Sequence, residues 1–215
     1  EGYRFISLME DGLPIVYDGI WPDFFLRQDL MTQGVETIRG GSSGIFTVNG
    51  PAAIVNFITH KGSNEKVNKV KLSHGLGHQF TRLDGLSSGA INHQWFYALG
   101  GFYRVSDGVR QPGFNADEGG QIKINLTGKF EQGQLNFSYR YLNDQTSFFT
   151  PIPMTNAEKP RGVDAINANY STLLSADLNN LNFKSPAGNF SRDIEDGQQT
   201  LLHRFSASID WELSQ

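Results

Sequence analysis

The 215 residues include no cysteine, which removes disulfide scaffolds, thiolate zinc sites and cysteine nucleophiles. No stretch approaches about 18 consecutive apolar residues, so no transmembrane helix is predicted. Charge is sparse: Asp, Glu, Lys and Arg make up 19% of the chain, against about 25% in ordinary soluble domains. Basic charge is not in excess either, and a net charge of −4 excludes a general nucleic-acid binder. Glycine (24 residues) and aromatic side chains (12%) are abundant instead. That mixture suits β-structure, either in water or as a membrane barrel.

Texture changes near Gly62. Before it, short apolar runs (Ile6 to Met9, Ile15 to Tyr17, Pro51 to Val55) are broken by glycine. After it come segments of about ten residues that alternate apolar with polar. In Gln121 to Phe130, Ile122, Ile124, Leu126 and Phe130 share one face, and Gln121, Lys123, Asn125, Thr127 and Lys129 share the other. That period of two predicts a strand between an apolar and a wet environment. Leu135, Phe137, Tyr139 and Tyr141 continue the pattern with opposite parity. A turn centred on Gln132-Gly133 then sets Phe130 against Leu135, Leu126 against Tyr139 and Ile124 against Tyr141, with all apolar faces on one side. Trp95, Tyr97, Leu99, Tyr103 and Val105 form a third apolar face, although Phe96 and Phe102 intrude on its polar side. Leu201, Phe205, Ala207, Ile209, Trp211 and Leu213 form a fourth. Val70, Leu72 and Leu76 give a weaker strand, and Thr81 to Ile91 a poor one.

Trp95 and Tyr103 bracket a strand face about 26 Å long at about 3.3 Å per residue. Tilted, that spans an apolar band flanked by aromatic girdles. The expected connections also alternate, with a tight turn near Gln132-Gly133 and long loops at Asp107 to Gly119 and Ser147 to Gly197. Outer-membrane barrels carry short turns at one rim and long loops at the other. In the longest loop, Ile166, Tyr170, Leu173, Leu174, Leu178 and Leu181 recur at helical spacing, which predicts a short surface helix after Asp164. The alternative on pattern alone is a soluble β-sandwich binding module with one wet face.

Catalytic constellations are weak. Gly40-Gly41-Ser42-Ser43-Gly44 matches the G-x-S-x-G nucleophile elbow, and Asp193 or Asp196 with His203 completes a triad order. The elbow requires a following helix, but Asn49-Gly50-Pro51 interrupts that region, so a serine hydrolase using Ser42 is the lesser alternative. His74 and His78 lie about 13 Å apart on a strand, too far to share a metal. No catalytic, metal or cofactor site is therefore assigned. The Asn-x-Ser/Thr triplets at Asn125, Asn136, Asn169 and Asn189 read as chance in an Asn-rich chain.

The run from Val35-Glu36-Thr37-Ile38-Arg39-Gly40-Gly41 to Ile45-Phe46, followed by Asn56-Phe57-Ile58-Thr59-His60-Lys61, resembles the plug-domain signature of TonB-dependent outer-membrane receptors. Glu10-Asp11-Gly12-Leu13-Pro14 is similar to a strand end of the same plug. Tyr103 to Arg110 resembles an early barrel strand leaving for its outer loop, and Tyr141-Leu142-Asn143-Asp144 followed by Phe148 to Pro153 is of the same style. Thr47 and Ala52-Ala53 depart from the family's glycines. The resemblance covers residues 5 to 61 well and the rest in style.

What the resemblance implies is a mainly all-β transmembrane antiparallel β-barrel with an N-terminal plug domain, represented here by a fragment. Residues 1–62 would be the C-terminal portion of the plug. Residues 63–215 would be the first six or so of about 22 strands, with a long extracellular loop near 147–197. The implied function is TonB-dependent active transport of a scarce solute across the Gram-negative outer membrane: an iron–siderophore-like chelate, cobalamin or a saccharide. No reaction is catalysed. Implied partners are that extracellular solute or metal chelate, outer-membrane lipid, and the TonB energy-transducing complex, engaged through a segment outside these residues. Tyr17, Asp18, Trp21, Phe24 and Asn49 become candidates for solute contact near the plug's outer apex. Glu36 and Arg39 become candidates for plug–barrel salt bridges.

Overall fold

A computed structural model describes residues 6–15, 24–41, 52–77, 79–109, 112–147, 156, 158, 181–186, 188–192 and 196–213. Twelve strands are described: β1 (Ile6–Glu10), β2 (Leu13–Pro14), β3 (Thr32–Arg39), β4 (Ala53–Thr59), β5 (Val67–Gly75), β6 (Phe80–Ala90), β7 (Trp95–Ser106), β8 (Asp117–Phe130), β9 (Gly133–Thr146), β10 (Leu181–Ser185), β11 (Gly188–Arg192) and β12 (Gln198–Trp211). They form a small mixed sheet in the order β2-β1-β4-β3, a β10-β11 hairpin, and a six-stranded antiparallel wall in the order β12-β9-β8-β7-β6-β5.

The small sheet is built around the Asp11-Gly12 turn. Both residues have positive φ, 52° and 80°, which suits the primed hairpin turns that join short antiparallel strands. β1 also runs parallel to β4, with Ile6 opposite Ala53 and Glu10 opposite Phe57. β3 closes the other side of β4 and is one of the two edge strands, β2 being the other.

The wall has two unlike faces. Ile122, Ile124, Phe137, Leu201, Phe205 and Ile209 point outward and are exposed, Phe205 at 76%. Gln121, Lys123, Asn125, Thr127, Arg140 and Asp144 point inward and are buried. An apolar outer face and a polar buried inner face invert the usual soluble arrangement. At the β8–β9 end, Trp95, Phe130 and Trp211 form an aromatic row with centroids 6.0 Å apart at each step, edge-on in the first pair and tilted in the second.

Several expectations need correction. The β8–β9 turn is two residues, Glu131-Gln132, so Phe130 pairs with Gly133, Leu126 with Phe137, Ile124 with Tyr139 and Ile122 with Tyr141. The register therefore sits two residues from the expected one, and because the slip is even, every side chain keeps its face. Gly133 is the first strand residue, where a Cβ would run into the Asp210 carbonyl. The poor segment after Phe80 is an eleven-residue strand. Its Gly85, Ser87 and Gly89 thin the outer apolar face, while Leu86 packs inward against Met31. The intruding Phe96 and Phe102 are buried on the inner face. The Arg82 guanidinium lies 3.9 Å from the Phe102 ring centroid and the Lys129 ammonium 5.0 Å from that of Phe96. The loop after β7 ends at Ala116 rather than Gly119. Leu181 begins β10, and the other residues of the expected helix, Ile166 to Leu178, lie outside the described residues.

Gly62 stands where the chain passes from the small sheet to the wall. Its φ is +81°, and a Cβ there would lie 2.5 Å from the Tyr97 carbonyl oxygen. Gly12, at φ +80°, has open space around its Cβ position. Gly12→Ala is expected to cost about 1–2 kcal/mol from backbone conformation alone. Gly62→Ala adds a steric clash and should lower the thermal-unfolding midpoint clearly more than Gly12→Ala.

Candidate functional site at the sheet interface

The inner face of β6 to β9 and β12 is occupied by the small sheet and by the segment Phe24–Met31. That segment is a strap whose backbone is held by successive wall strands. Arg140 of β9 donates from Nη2 to the Phe25 carbonyl at 2.5 Å. Gln121 of β8 donates to the Arg27 carbonyl at 2.7 Å and to Asp29 Oδ2 at 2.6 Å. Arg82 of β6 donates to the Gln28 carbonyl at 2.6 Å. The strap ends in Met31, fully buried against Leu86 and Ala98. Gly100 makes room for it, since a Cβ there would lie 2.7 Å from Met31 Cγ.

Two buried ion clusters flank the strap. The first centres on Asp144, whose side chain is 0% exposed. Arg27 Nε reaches its Oδ2 at 2.5 Å, and Arg104 grips both carboxylate oxygens at 3.0 and 2.9 Å. Forked guanidinium–carboxylate pairing is the strong form of this bond. The second centres on Glu10 at the end of β1. Lys123 donates to its Oε2, while Arg140 Nη1 and Arg204 Nη1 each lie 3.7 Å from Oε1. Burial pushes the Glu10 carboxyl up, but the Lys123 ammonium and then the Arg140 and Arg204 guanidiniums outweigh it and hold the group below its ordinary value.

A third connection runs through the Thr59 hydroxyl and the Asn125 amide. Thr59 donates from Oγ1 to Asp11 Oδ2 at 2.5 Å and accepts from Asn125 Nδ2 at 2.7 Å. Asn125 also donates to the His60 carbonyl at 2.6 Å. The triplet asparagine Asn125 is thus an interface residue, and Asn136 accepts from Thr127 at 3.0 Å. Such an interface is specific because Lys123, Asn125, Gln121 and Asp144 each meet a particular group of the small sheet or strap. Its net stabilisation is modest, whereas removing one member of a buried pair costs about 3–5 kcal/mol.

The sequence candidates fall differently. Tyr17, Asp18, Trp21 and Asn49 lie outside the described residues, as do Ser42, Asp193 and His78. Phe24 is half-buried at the start of the strap. Glu36 and Arg39 are exposed on edge strand β3, and neither forms an ion pair among the described residues. His203 sits on the outer face beside Tyr139 and Tyr141, its Nδ1 3.1 Å from the Tyr139 hydroxyl. Sequence reasoning missed Glu10, Arg27, Lys123, Arg140, Asp144 and Arg204. A signal was present: Lys123, Arg140 and Arg204 each stand mid-strand on a polar face of strict period two, between uncharged neighbours on that face.

No family model matches the sequence, and no curated protein matches it. Solved structures do. FpvA of P. aeruginosa, solved with heterologous pyoverdines and iron, aligns at a TM-score of 0.59 and 15% identity over 74% of this chain. The ferric-catecholate import receptor Fiu of E. coli K12 aligns at 0.54 and 17% over 68%, and the ferric enterobactin receptor PfeA of Pseudomonas aeruginosa at 0.52 and 15% over 71%. This chain spans only 22%, 21% and 27% of those chains, respectively.

Glu10→Gln is expected to leave three cations facing an uncharged amide and to expose Phe24–Met31 to protease. In the unsubstituted protein the carboxylate's contribution is complete above its ordinary value of 4.5 and disappears as pH falls through the depressed folded value. Proteolytic release of the strap should therefore rise below pH 4.5 in the parent, with a smaller rise in E10Q.

Over the part that it spans, the chain has the fold seen in TonB-dependent outer-membrane receptors, the family its early sequence resembles.

Proposed function

We propose that the chain is part of a transporter that takes up a scarce solute across the Gram-negative outer membrane, driven by the TonB complex. Residues 1–62 act as the plug and 63–215 as the first six or so strands of the barrel. The observation that carries this reading is the two-faced wall. Its exposed aliphatic and aromatic face suits lipid, where charged side chains would be costly. Its inner face is polar and engages a separate small sheet. The neighbours named above are receptors for ferric catecholates, pyoverdines and ferric enterobactin, which favours an iron chelate over cobalamin or a saccharide as solute. Those neighbours are receptors, and the reading here involves binding and passage without a chemical step.

In this reading Tyr17, Asp18, Trp21, Phe24 and Asn49 contact the solute from the plug side, with the aromatics supplying area and Asp18 and Asn49 supplying polar contacts. Glu36 and Arg39, exposed on β3, engage a further part of the barrel wall. In the full-length receptor, Trp21→Ala and Tyr17→Ala should each weaken ferric-chelate binding about tenfold, or ~1.4 kcal/mol. Loss of TonB should abolish uptake while leaving binding intact. Undiminished binding in both variants, or uptake that ignores TonB, contradicts the proposal. Charge reversal at Glu36 or Arg39 should raise passive permeability in liposomes, and unchanged permeability removes the docking role assigned to that pair.

A further inference from the structure

The wall register aligns three cations side by side. Lys123 of β8 pairs with Arg140 of β9, which pairs with Arg204 of β12. Like charges directly opposite on one face of a sheet repel, and here the row is covered by the small sheet. The side chains of Lys123, Arg140 and Arg204 are 4%, 3% and 17% exposed. The carboxylate in ion-pair contact with all three is Glu10. Its Oε2 takes the short Lys123 bond, and its Oε1 lies 3.7 Å from both guanidiniums. Arg140 Nη1 and Arg204 Nη1 are buried and make no hydrogen bond among the described residues. Three cations meet one carboxylate in ion-pair contact, with Asp29 adding attraction to Arg140, and a group so withdrawn from water with two Nη1 atoms making no hydrogen bond is electrostatically incomplete.

Beside these atoms lies a cavity of about 20 Å³, whose lining includes Glu10, Asp11, Lys123, Asn125, Arg140 and Arg204. About 10–15 Å³ on the same measure holds one water-sized particle. The space therefore admits a monatomic anion and excludes sulfate or phosphate. Asn125 and Ser206 add polar groups to the lining; the Asp11 carboxylate also lines it but is engaged by Thr59 and Lys61, and among the described residues Glu10 is the one carboxylate within ion-pair distance of the two Nη1 atoms.

We infer that the small sheet and the wall together form a binding site for one monatomic anion of chloride size, held by Arg140 and Arg204 beside Glu10. The site exists only while the two sheets are docked, because β1 supplies Glu10 and the wall supplies the cations. Binding there stabilises the docked state by mass action. The anion is a structural clamp, and the inference is independent of which solute the protein carries.

The test uses the full-length protein in detergent at constant ionic strength. Replacing gluconate by chloride or bromide should raise the midpoint of thermal or proteolytic release of Phe24–Met31 saturably, by a few degrees in the thermal case. Sulfate should not substitute for the halide. Arg204→Gln should abolish the halide effect. Crystals of the unsubstituted protein grown in bromide should show anomalous scattering between Arg140 and Arg204, which decides the matter even if R204Q does not fold. Equal midpoints in all anions, a halide effect unchanged in R204Q, or a cavity without bromide signal overturns the inference and leaves a water-filled site.

Discussion

The structure depends on a single constraint: the inner face of the wall carries charges that cannot be left dry and uncompensated. Asp144 is fully buried, and Lys123 and Arg140 nearly so. Two unit charges about 4 Å apart interact by about 4 kcal/mol at the effective dielectric typical near a protein surface. Desolvation offsets much of that gain. What remains is a strong penalty for losing either partner, hence a docking that is specific without being irreversible. Glu10, Arg27 and the carbonyls of Phe25, Arg27 and Gln28 are the partners that the small sheet and strap bring. A contact made this way separates along a defined seam, as the plug role proposed above requires.

The outer face follows from the same strands. Because strand side chains alternate, placing Lys123 and Asn125 inward commits Ile122, Ile124 and Leu126 outward. The polar grip and the apolar surface are thus two consequences of one period. The aromatic row of Trp95, Phe130 and Trp211 caps the tight-turn end of that surface, where amphipathic rings suit a membrane interface.

The wall was readable because period two is local: the faces of β7, β8, β9 and β12 can be taken directly from alternation. Register was less readable. A glycine after two polar residues suggested a turn centre, while Gly133 is needed inside the strand for close approach to β12. β6 was faint because small residues, Gly85, Ser87 and Gly89, occupy its outer face while Leu86 is buried inward against Met31, so alternation carries little apolar contrast. The interface clusters were hidden for a different reason. Glu10 meets Lys123 and Asp144 meets Arg27 across more than a hundred residues, and no local pattern encodes such pairings. The row Lys123, Arg140, Arg204 was discoverable once the three strands were set side by side.

The central claim is that one wall separates a lipid-facing surface from a docked small sheet. The chain has no cysteine, so single cysteines placed along β8 of the full-length protein can carry spin labels one at a time. In liposomes, labels at 122, 124 and 126 should be open to dissolved oxygen and closed to a water-soluble nickel reagent, while labels at 121, 123 and 125 should be shielded from both. Access of the nickel reagent to 122, 124 and 126, or loss of the period-two alternation, would contradict the account.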